Sequence, residues 1–245
     1  MKHKYYSCSV CKSREFELIY ERGVFFDKIY ISICKNCGIV CQNPRMDETF
    51  FEKYYSSDEY YGHYQPQINE SSVYNNERPL LIYNIVKKYL SKSSHILEIG
   101  TGRGDNLITL KEKGFINLYG TEINSRCVNT LKKKRIKCFN GNLRKFLKTK
   151  TGLFDLIILS HVLEHFVEPD NELLDISELL KETGYLFVLV PNLTSPSNTF
   201  SQFTLPHTFY FTKTSLSNLL GICGLSSIMS KQLISSELAT LAKKV

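Results

Sequence analysis

The chain has 245 residues, with 31 lysines and arginines against 24 aspartates and glutamates, which gives a formal net charge of +7. Its 42% hydrophobic and 22% charged residues are typical of a soluble globular protein, and its length suits one α/β domain with a small appendage. No apolar run reaches the roughly 18 residues that a membrane span needs. The N-terminal residues lack the apolar stretch of a signal peptide, so we expect a cytoplasmic protein.

The positive charge is compatible with a nucleic-acid partner and with a phosphorylated small substrate. The densest basic run is Lys132–Arg135. We interpret this run as a solvated helix end, where cations complement the helix dipole, rather than as an RNA-binding patch. We therefore expect a small-molecule acceptor and disfavour nucleic acid and membrane as partners.

Four of the eight cysteines form two pairs of the same spacing, Cys8 with Cys11 and Cys34 with Cys37. A turn with thiolates at i and i+3 aims both at one ion, and two such turns complete a tetrahedral four-thiolate site. Gly38 suits the left-handed conformation that such a turn often needs. We predict a zinc ribbon over residues 1–45. Its Zn²⁺ is structural, because four thiolates leave no open position for a substrate.

The stretch after the ribbon is rich in tyrosine. Asn43-Pro44-Arg45 predicts a turn, Met46–Tyr55 predicts a short helix, and five tyrosines follow within Tyr54–Tyr64. We interpret residues 46–72 as a linker or lid. An aromatic packing seam is the alternative.

Residues 73–245 alternate predicted helices and strands, which indicates a parallel sheet with helices on both faces. The predicted helices are Val73–Leu90, a helix ending near Lys111, Ser125–Lys134, Leu143–Leu147 and Glu172–Lys181. The predicted strands are His95–Ile99, Asn117–Glu122, Ile136–Phe139, Phe154–Leu159, Tyr185–Val190 and Leu225–Met229. The stretch Lys231–Val245 is short and polar for a final strand.

A glycine-rich turn, Glu98-x-Gly100-x-Gly102-x-Gly104, follows the strand at His95–Ile99. Glycines let the backbone approach a ligand, and Glu122 ends the next strand, where a carboxylate accepts hydrogen bonds from ribose hydroxyls. A dinucleotide enzyme would show Gly-x-Gly-x-x-Gly, and Glu98 would repel its pyrophosphate. An acidic residue instead favours a cationic ligand such as S-adenosylmethionine. Asn142, after the third strand, can hydrogen-bond an adenine edge.

The segments LEIGTGRGDN, YGTEIN, FNGNL, FDLIILSHVLEHF and GYLFVLVPN resemble those of class I S-adenosylmethionine-dependent methyltransferases. The resemblance implies a Rossmann-like α/β fold, with a doubly wound, mostly parallel sheet over residues 73–245. The paired cysteines, QNPR and the tyrosine-rich segment are similar to the zinc-ribbon-headed subgroup found among bacterial sugar and capsule methyltransferases. The implied cofactor contacts are Glu98, Gly100, Thr101, Gly102, Glu122, Ile123, Asn142, Leu143, Ser160 and His161.

Methyl transfer to oxygen or nitrogen also needs a proton acceptor, and histidine is suited to that role. We predict His207 as the general base, with a packing role as the alternative. Related sugar C-methyltransferases carry a Glu-His pair at this segment, and Pro206 stands at the Glu position here. This departure argues against C-methylation. The candidate acceptor contacts are Tyr60, Tyr61, His63, His165 and Tyr210.

His161, Glu164 and His165 have the spacing of residues on one helical face, as in some metal-binding helices. The resemblance assigns this segment to the cofactor pocket, so we expect no metal there. His165 is expected to line the pocket.

These observations predict an O- or N-methyltransferase for a small, phosphorylated or nucleotide-linked acceptor in capsule or surface polysaccharide biosynthesis. An RNA methyltransferase with the ribbon as a clamp is the first rival. Ser160-His161-Val162-Leu163 lacks the Asn/Asp-Pro-Pro-Tyr type of motif that holds a flipped base. A non-catalytic binding module is the second rival, and the intact cofactor motifs argue against it.

Overall fold

The computed structural model describes residues 3–24, 27–57, 74–149, 152–196, 202–233 and 236–245. The chain divides into two compact units. The first comprises residues 1–51, 159–178 and 185–245, and the second comprises residues 52–158 and 179–184. Among the described residues, no helix is long and apolar enough to cross a membrane.

The elements alternate along the chain much as predicted. The helices are α1 (Glu48–Ser56), α2 (Tyr74–Val86), α3 (Asp105–Glu112), α4 (Ser125–Lys133), α5 (Leu143–Leu147), α6 (Pro169–Leu179) and α7 (Lys213–Ile222), with a 3-10 turn at Leu163–His165. The strands are β1 (Phe16–Val24), β2 (Asp27–Cys34), β3 (Val40–Gln42), β4 (His95–Ile99), β5 (Asn117–Glu122), β6 (Lys137–Asn140), β7 (Phe154–Ser160), β8 (Leu180–Pro191), β9 (Phe209–Tyr210), β10 (Leu225–Gln232) and β11 (Glu237–Lys244).

Seven strands form one sheet, in the order β10-β11-β8-β7-β4-β5-β6. β4 pairs parallel with β5, and β5 pairs parallel with β6. The strand order reverses between β4 and β7. In open α/β sheets such a reversal marks the place where ligands bind, at the carboxyl ends of the strands. The mostly parallel sheet with flanking helices confirms the predicted fold class at this level.

The final strand of the sheet is present, although the sequence of Lys231–Val245 is short and polar for a strand. β11 pairs antiparallel with both β8 and β10. Ala239, Leu241 and Ala242 are fully buried. Alanine is a poor strand former, but a central position between two strands overrides that preference.

The helix predicted over Glu172–Lys181 ends earlier, at Leu179, and β8 begins at Leu180. The Nζ atom of Lys181 lies 2.8 Å from both carboxylate oxygens of Asp155. A Cβ atom on Gly184 would lie 2.8 Å from the carbonyl oxygen of Lys181. A side chain at residue 184 would therefore clash with the backbone of β8, which favours glycine there.

A second sheet has the order β1-β2-β3-β9. β1 and β2 form an antiparallel hairpin, and β3 pairs antiparallel with β2. The fourth strand, β9, comes from a distant part of the chain. Val40 pairs with Tyr210, and Cys41 pairs with Phe209. The sequence offers no signal for this pairing, because β9 is only two residues long.

Arg45 is a buried cation at the end of this sheet and is only 1% exposed. Its Nε and Nη2 atoms donate to the carbonyl oxygen of Val167 at 2.9 and 2.6 Å, and Nη1 donates to that of Gln42 at 3.0 Å. The rings of Tyr6 and Phe209 lie 4.2 and 4.9 Å from its guanidinium carbon. Carbonyl dipoles and ring faces thus compensate the loss of hydration.

We expect Arg45→Ala to destabilise the protein by about 3 kcal/mol, because it opens a cavity and leaves two buried carbonyl groups without these donors. The urea-unfolding midpoint checks this expectation. Arg14→Ala is the matched control, since Arg14 is exposed and surface substitutions usually change stability by about 0.5 kcal/mol or less. Equal midpoints for the two variants would contradict the role of Arg45.

Candidate active site

The glycine-rich turn joins β4 to α3. Gly102 and Gly104 adopt φ angles of +51° and +82°, in the left-handed region that favours glycine. A Cβ atom on Gly104 would lie 2.2 Å from Cδ2 of Leu131, whereas one on Gly102 would meet no atom within 4 Å. Gly104 is therefore required for packing, and the space beside Gly102 is open to a ligand.

Glu122, at the end of β5, is bonded to this turn. Its Oε2 accepts a hydrogen bond from the backbone N–H of Gly102 at 2.8 Å, and its Oε1 accepts one from that of Asn124 at 2.8 Å. Each carboxylate oxygen has a second lone pair. Glu122 can therefore hold the turn and still accept further hydrogen bonds from a ligand.

Glu98 lies in β4, directly before the turn, and is 1% exposed. Burial raises the pKa of its carboxyl group to about 8, although the Asn106 side chain opposes this by donating to Oε1 at 2.6 Å. Within the described residues, Oε2 is buried without a hydrogen-bond partner. A ligand that brings a positively charged donor would bond this oxygen and favour the ionised form of Glu98.

Asn142 caps α5, where its Oδ1 accepts a hydrogen bond from the backbone N–H of Lys145 at 3.0 Å. Its Nδ2 donates to Oε1 of Glu52 at 2.5 Å. Both ends of the side chain are thus engaged, and its predicted contact with adenine remains a prediction. Of the other predicted contacts in the second unit, Thr101 and Leu143 are buried and Ile123 is half-buried.

Ser160 is half-buried at the end of β7, and His161 follows it with a φ angle of +55°. The Nδ1 atom of His161 lies 3.2 Å from Oε1 of Glu164, and Nε2 lies 2.7 Å from Oε1 of Glu237. Burial alone would lower the pKa of His161, but the two carboxylates raise it to about 9. His161 therefore carries both protons and neutralises buried negative charge.

Glu164, His165 and His207 form a cluster whose potential metal-ligating atoms all lie within 4.8 Å of one another. The two imidazole centroids are 5.0 Å apart, with 59° between the ring planes. The Nδ1 atoms of His165 and His207 lie 2.8 and 2.9 Å from the carbonyl oxygens of Pro206 and Gln202. A carbonyl oxygen only accepts, so each Nδ1 donates, and in the neutral ring the lone pair is at Nε2.

The position of His207 lowers its pKa to about 4, chiefly because of desolvation and then because of its electrostatic interaction with the neighbouring His165. At neutral pH the ring is therefore uncharged. Such a ring offers a lone pair but is a weak proton acceptor.

Two polar side chains hold the segments that carry this cluster. Thr208 Oγ1 donates to the carbonyl oxygens of Glu164 and Phe166 at 3.0 and 2.6 Å. Gln42, 1% exposed, donates through Nε2 to the carbonyl oxygen of His207 at 2.6 Å. In the sequence analysis QNPR is a turn signal and part of the ribbon-headed resemblance, but no structural role is assigned to Gln42, and Glu164 is not placed beside His207.

Tyr210 is 2% exposed within β9, and its ring packs edge-on against Phe203. Its hydroxyl lies 3.4 Å from Nε2 of Gln42. This position supports a packing role rather than contact with an acceptor. The other predicted acceptor contacts, Tyr60, Tyr61 and His63, lie outside the described residues.

The paired cysteines bring four sulfur atoms within 4.8 Å of one another. Sγ of Cys8 lies 3.4 Å from that of Cys37, and Sγ of Cys11 lies 3.5 Å from that of Cys34. A tetrahedral zinc ion with Zn–S bonds of about 2.3 Å holds its sulfurs about 3.8 Å apart. Lys12 and Gly38, directly after the two pairs, both adopt left-handed φ angles, of 61° and 75°. Two equivalent turns of this kind fit a zinc site.

The fold is shared with solved methyltransferases. Magnesium protoporphyrin IX methyltransferase from Synechocystis PCC 6803 is 14% identical, with a TM-score of 0.64 over 81% of this chain and 100% of that chain. The 1,6-didemethyltoxoflavin-N1-methyltransferase of Burkholderia thailandensis is 15% identical, with a TM-score of 0.63 over 93% of this chain and 100% of that one. The pyocyanin biosynthetic protein PhzM is 13% identical, with a TM-score of 0.53 over 68% of this chain and 55% of that one.

No curated protein matches the chain in sequence. A family model described as a methyltransferase domain matches residues 74–228, well over half of the chain. This match covers the glycine-rich turn, Glu122 and the histidine cluster, and it agrees with the shared fold. The chain therefore belongs to the methyltransferase-domain family and is a methyl-transferring enzyme.

Proposed function

We propose that the protein transfers a methyl group from S-adenosylmethionine to an oxygen or nitrogen atom of a small acceptor. The observation that carries this proposal is the open glycine turn bonded to Glu122 at the carboxyl ends of β4 and β5. Glu122 would accept hydrogen bonds from the ribose hydroxyls. The unpartnered Oε2 of Glu98 would accept one from the cationic amino group of the methionine part.

S-adenosylmethionine supplies an activated methyl group on a sulfonium, so the protein mainly has to position the acceptor and exclude water. An oxygen or ammonium acceptor also has to lose a proton. His207 remains our proposed general base, supported by the lone pair that its Nδ1 bond to Gln202 leaves at Nε2. Contacts of Ser160 and His161 with the cofactor, and of His165 with the acceptor, are part of the same proposal.

A small acceptor is supported by the names of the structural neighbours, which are enzymes of protoporphyrin, toxoflavin and pyocyanin chemistry. The net charge of +7 favours a phosphorylated or nucleotide-linked molecule among such acceptors. Capsule or surface polysaccharide biosynthesis in the cytoplasm is the setting that the ribbon-headed resemblance suggests.

We also propose that residues 1–45 form a zinc ribbon, residues 46–72 a linker or lid and residues 73–245 the cofactor-binding domain. The zinc is structural in this proposal. Four sulfurs at near-tetrahedral separations support it, as do the matching turns at Lys12 and Gly38.

The proposed reaction is tested by mass spectrometry of methyl transfer from S-adenosylmethionine. The acceptor panel contains nucleotide sugars, phosphorylated sugars and amines, and total RNA. We expect a mass gain of one methyl group on a small acceptor. A product formed only on RNA would replace the small acceptor in this proposal, and cofactor binding without any product would favour a binding module.

We expect Glu122→Ala to raise the dissociation constant for S-adenosylhomocysteine at least about tenfold, since it removes hydrogen bonds to the ribose and releases the turn at Gly102. Isothermal titration calorimetry measures this constant. Glu112→Ala, an exposed glutamate on α3, is the control and should bind like the wild type. An unchanged constant in a folded Glu122→Ala variant would rule out the ribose assignment.

We expect Cys34→Ser to lower the zinc content by one ion per chain and to lower the thermal midpoint, because a bound structural metal contributes to folding free energy. Elemental analysis and scanning calorimetry give the two quantities. Cys127→Ser is the control for zinc content, since Cys127 is buried on α4, outside the cluster. An unchanged zinc content in Cys34→Ser would refute the ribbon site.

A further inference from the structure

Glu164, His165 and His207 form a cluster within the first unit that contains two kinds of metal ligand, a carboxylate and two imidazoles. Glu164 is 1% exposed, and its Oε1 accepts a hydrogen bond from His161. Its Oε2 is buried and has no hydrogen-bond partner in the described part of the chain. Leaving a carboxylate oxygen in this state is costly unless a ligand completes it.

His165 and His207 lie on different segments, and their rings make the same kind of hydrogen bond. Each donates its Nδ1–H to a backbone carbonyl, of Pro206 for His165 and of Gln202 for His207. This arrangement fixes the tautomer with the lone pair at Nε2. Metal-binding histidines nearly always donate their second ring N–H in this way, to a carbonyl or carboxylate.

The spacing of the three groups is suited to one ion. Their ligating atoms lie within 4.8 Å of one another, whereas the donors around a bound zinc ion lie about 3.4 Å apart. Side-chain rotations that move the ligating atoms by about an ångström would close this difference. Thr208 and Gln42 hold the backbones of Glu164 and His207, so the segments themselves need not move.

We infer that Glu164, His165 and His207 bind a divalent transition-metal cation, at a site separate from the four cysteines. Two imidazoles and one carboxylate are the ligand set of open zinc and iron sites, in contrast to the closed four-thiolate site. Three protein ligands leave at least one position for a water or an acceptor oxygen. In this inference His207 is a metal ligand in place of its proposed role as general base, because the metal would occupy the lone pair at Nε2. It also revises the expectation that the segment around His161 holds no metal.

The test is the zinc content of the full chain, equilibrated at buffered free zinc and measured by elemental analysis. We expect two zinc ions per chain in the wild type, and one in Glu164→Gln and in His207→Gln. Glu172→Gln, which alters a buried glutamate of α6 outside the cluster, should retain two. One ion per chain in the wild type, or two in both cluster variants, would overturn the inference.

Cobalt substitution of the wild-type protein distinguishes the two sites by their spectra. This measurement does not depend on whether a variant folds. Cobalt bound to thiolates gives intense charge-transfer absorption, and cobalt bound to nitrogen and oxygen gives only weak visible bands. We expect wild-type protein to show both sets, and thiolate bands alone would overturn the inference. Neither measurement needs S-adenosylmethionine or an acceptor, so a failure of the proposed methyl transfer would be seen separately.

Discussion

The burial of Arg45 and Gln42 is the constraint on which the first unit depends. Arg45 satisfies the carbonyl group of Val167, and Gln42 satisfies that of His207. These two carbonyls belong to the segments that carry the Glu164, His165 and His207 cluster. A buried carbonyl without a donor costs about 1–3 kcal/mol, so both segments are stable only while the end of β3 stays in place.

This constraint gives the ribbon a role beyond being an appendage. β9 completes the β1-β2-β3 sheet, directly after His207 and Thr208 in the chain. Thr208 then bonds the carbonyl oxygens of Glu164 and Phe166. Folding of the cysteine-bearing hairpin and placement of the histidines are therefore linked through hydrogen bonds within one compact unit. Loss of a structural metal at the cysteines would be expected to disturb the histidine cluster as well.

The sequence predicted best where one local rule decides the structure. β4 and β5 occur at the predicted bounds, because the glycine-rich turn follows the apolar run of β4 and the helix cap at Asn124 follows β5. Glu122, at the end of β5, is hydrogen-bonded to the glycine-rich turn after β4. The final strand stayed open in the sequence analysis because its stretch is short and polar, and its alanines Ala239 and Ala242 are buried by pairing with β8 and β10. β9 and the pairing of Gln42 with His207 join residues far apart in sequence, and local patterns carry no information about such contacts.

The two roles considered for His207 use the same lone pair at Nε2, so the surroundings decide between them. A general base needs one neighbouring proton donor on the substrate and a ring that holds the proton well. A ligand needs other ligands at matching distances and a ring that stays neutral. The structure places two potential ligands beside His207 within the first unit. His165 has the same hydrogen bond from Nδ1 to a carbonyl oxygen, and Oε2 of Glu164 has no hydrogen-bond partner in the described part of the chain. This geometry favours His207 as a metal ligand over His207 as a base.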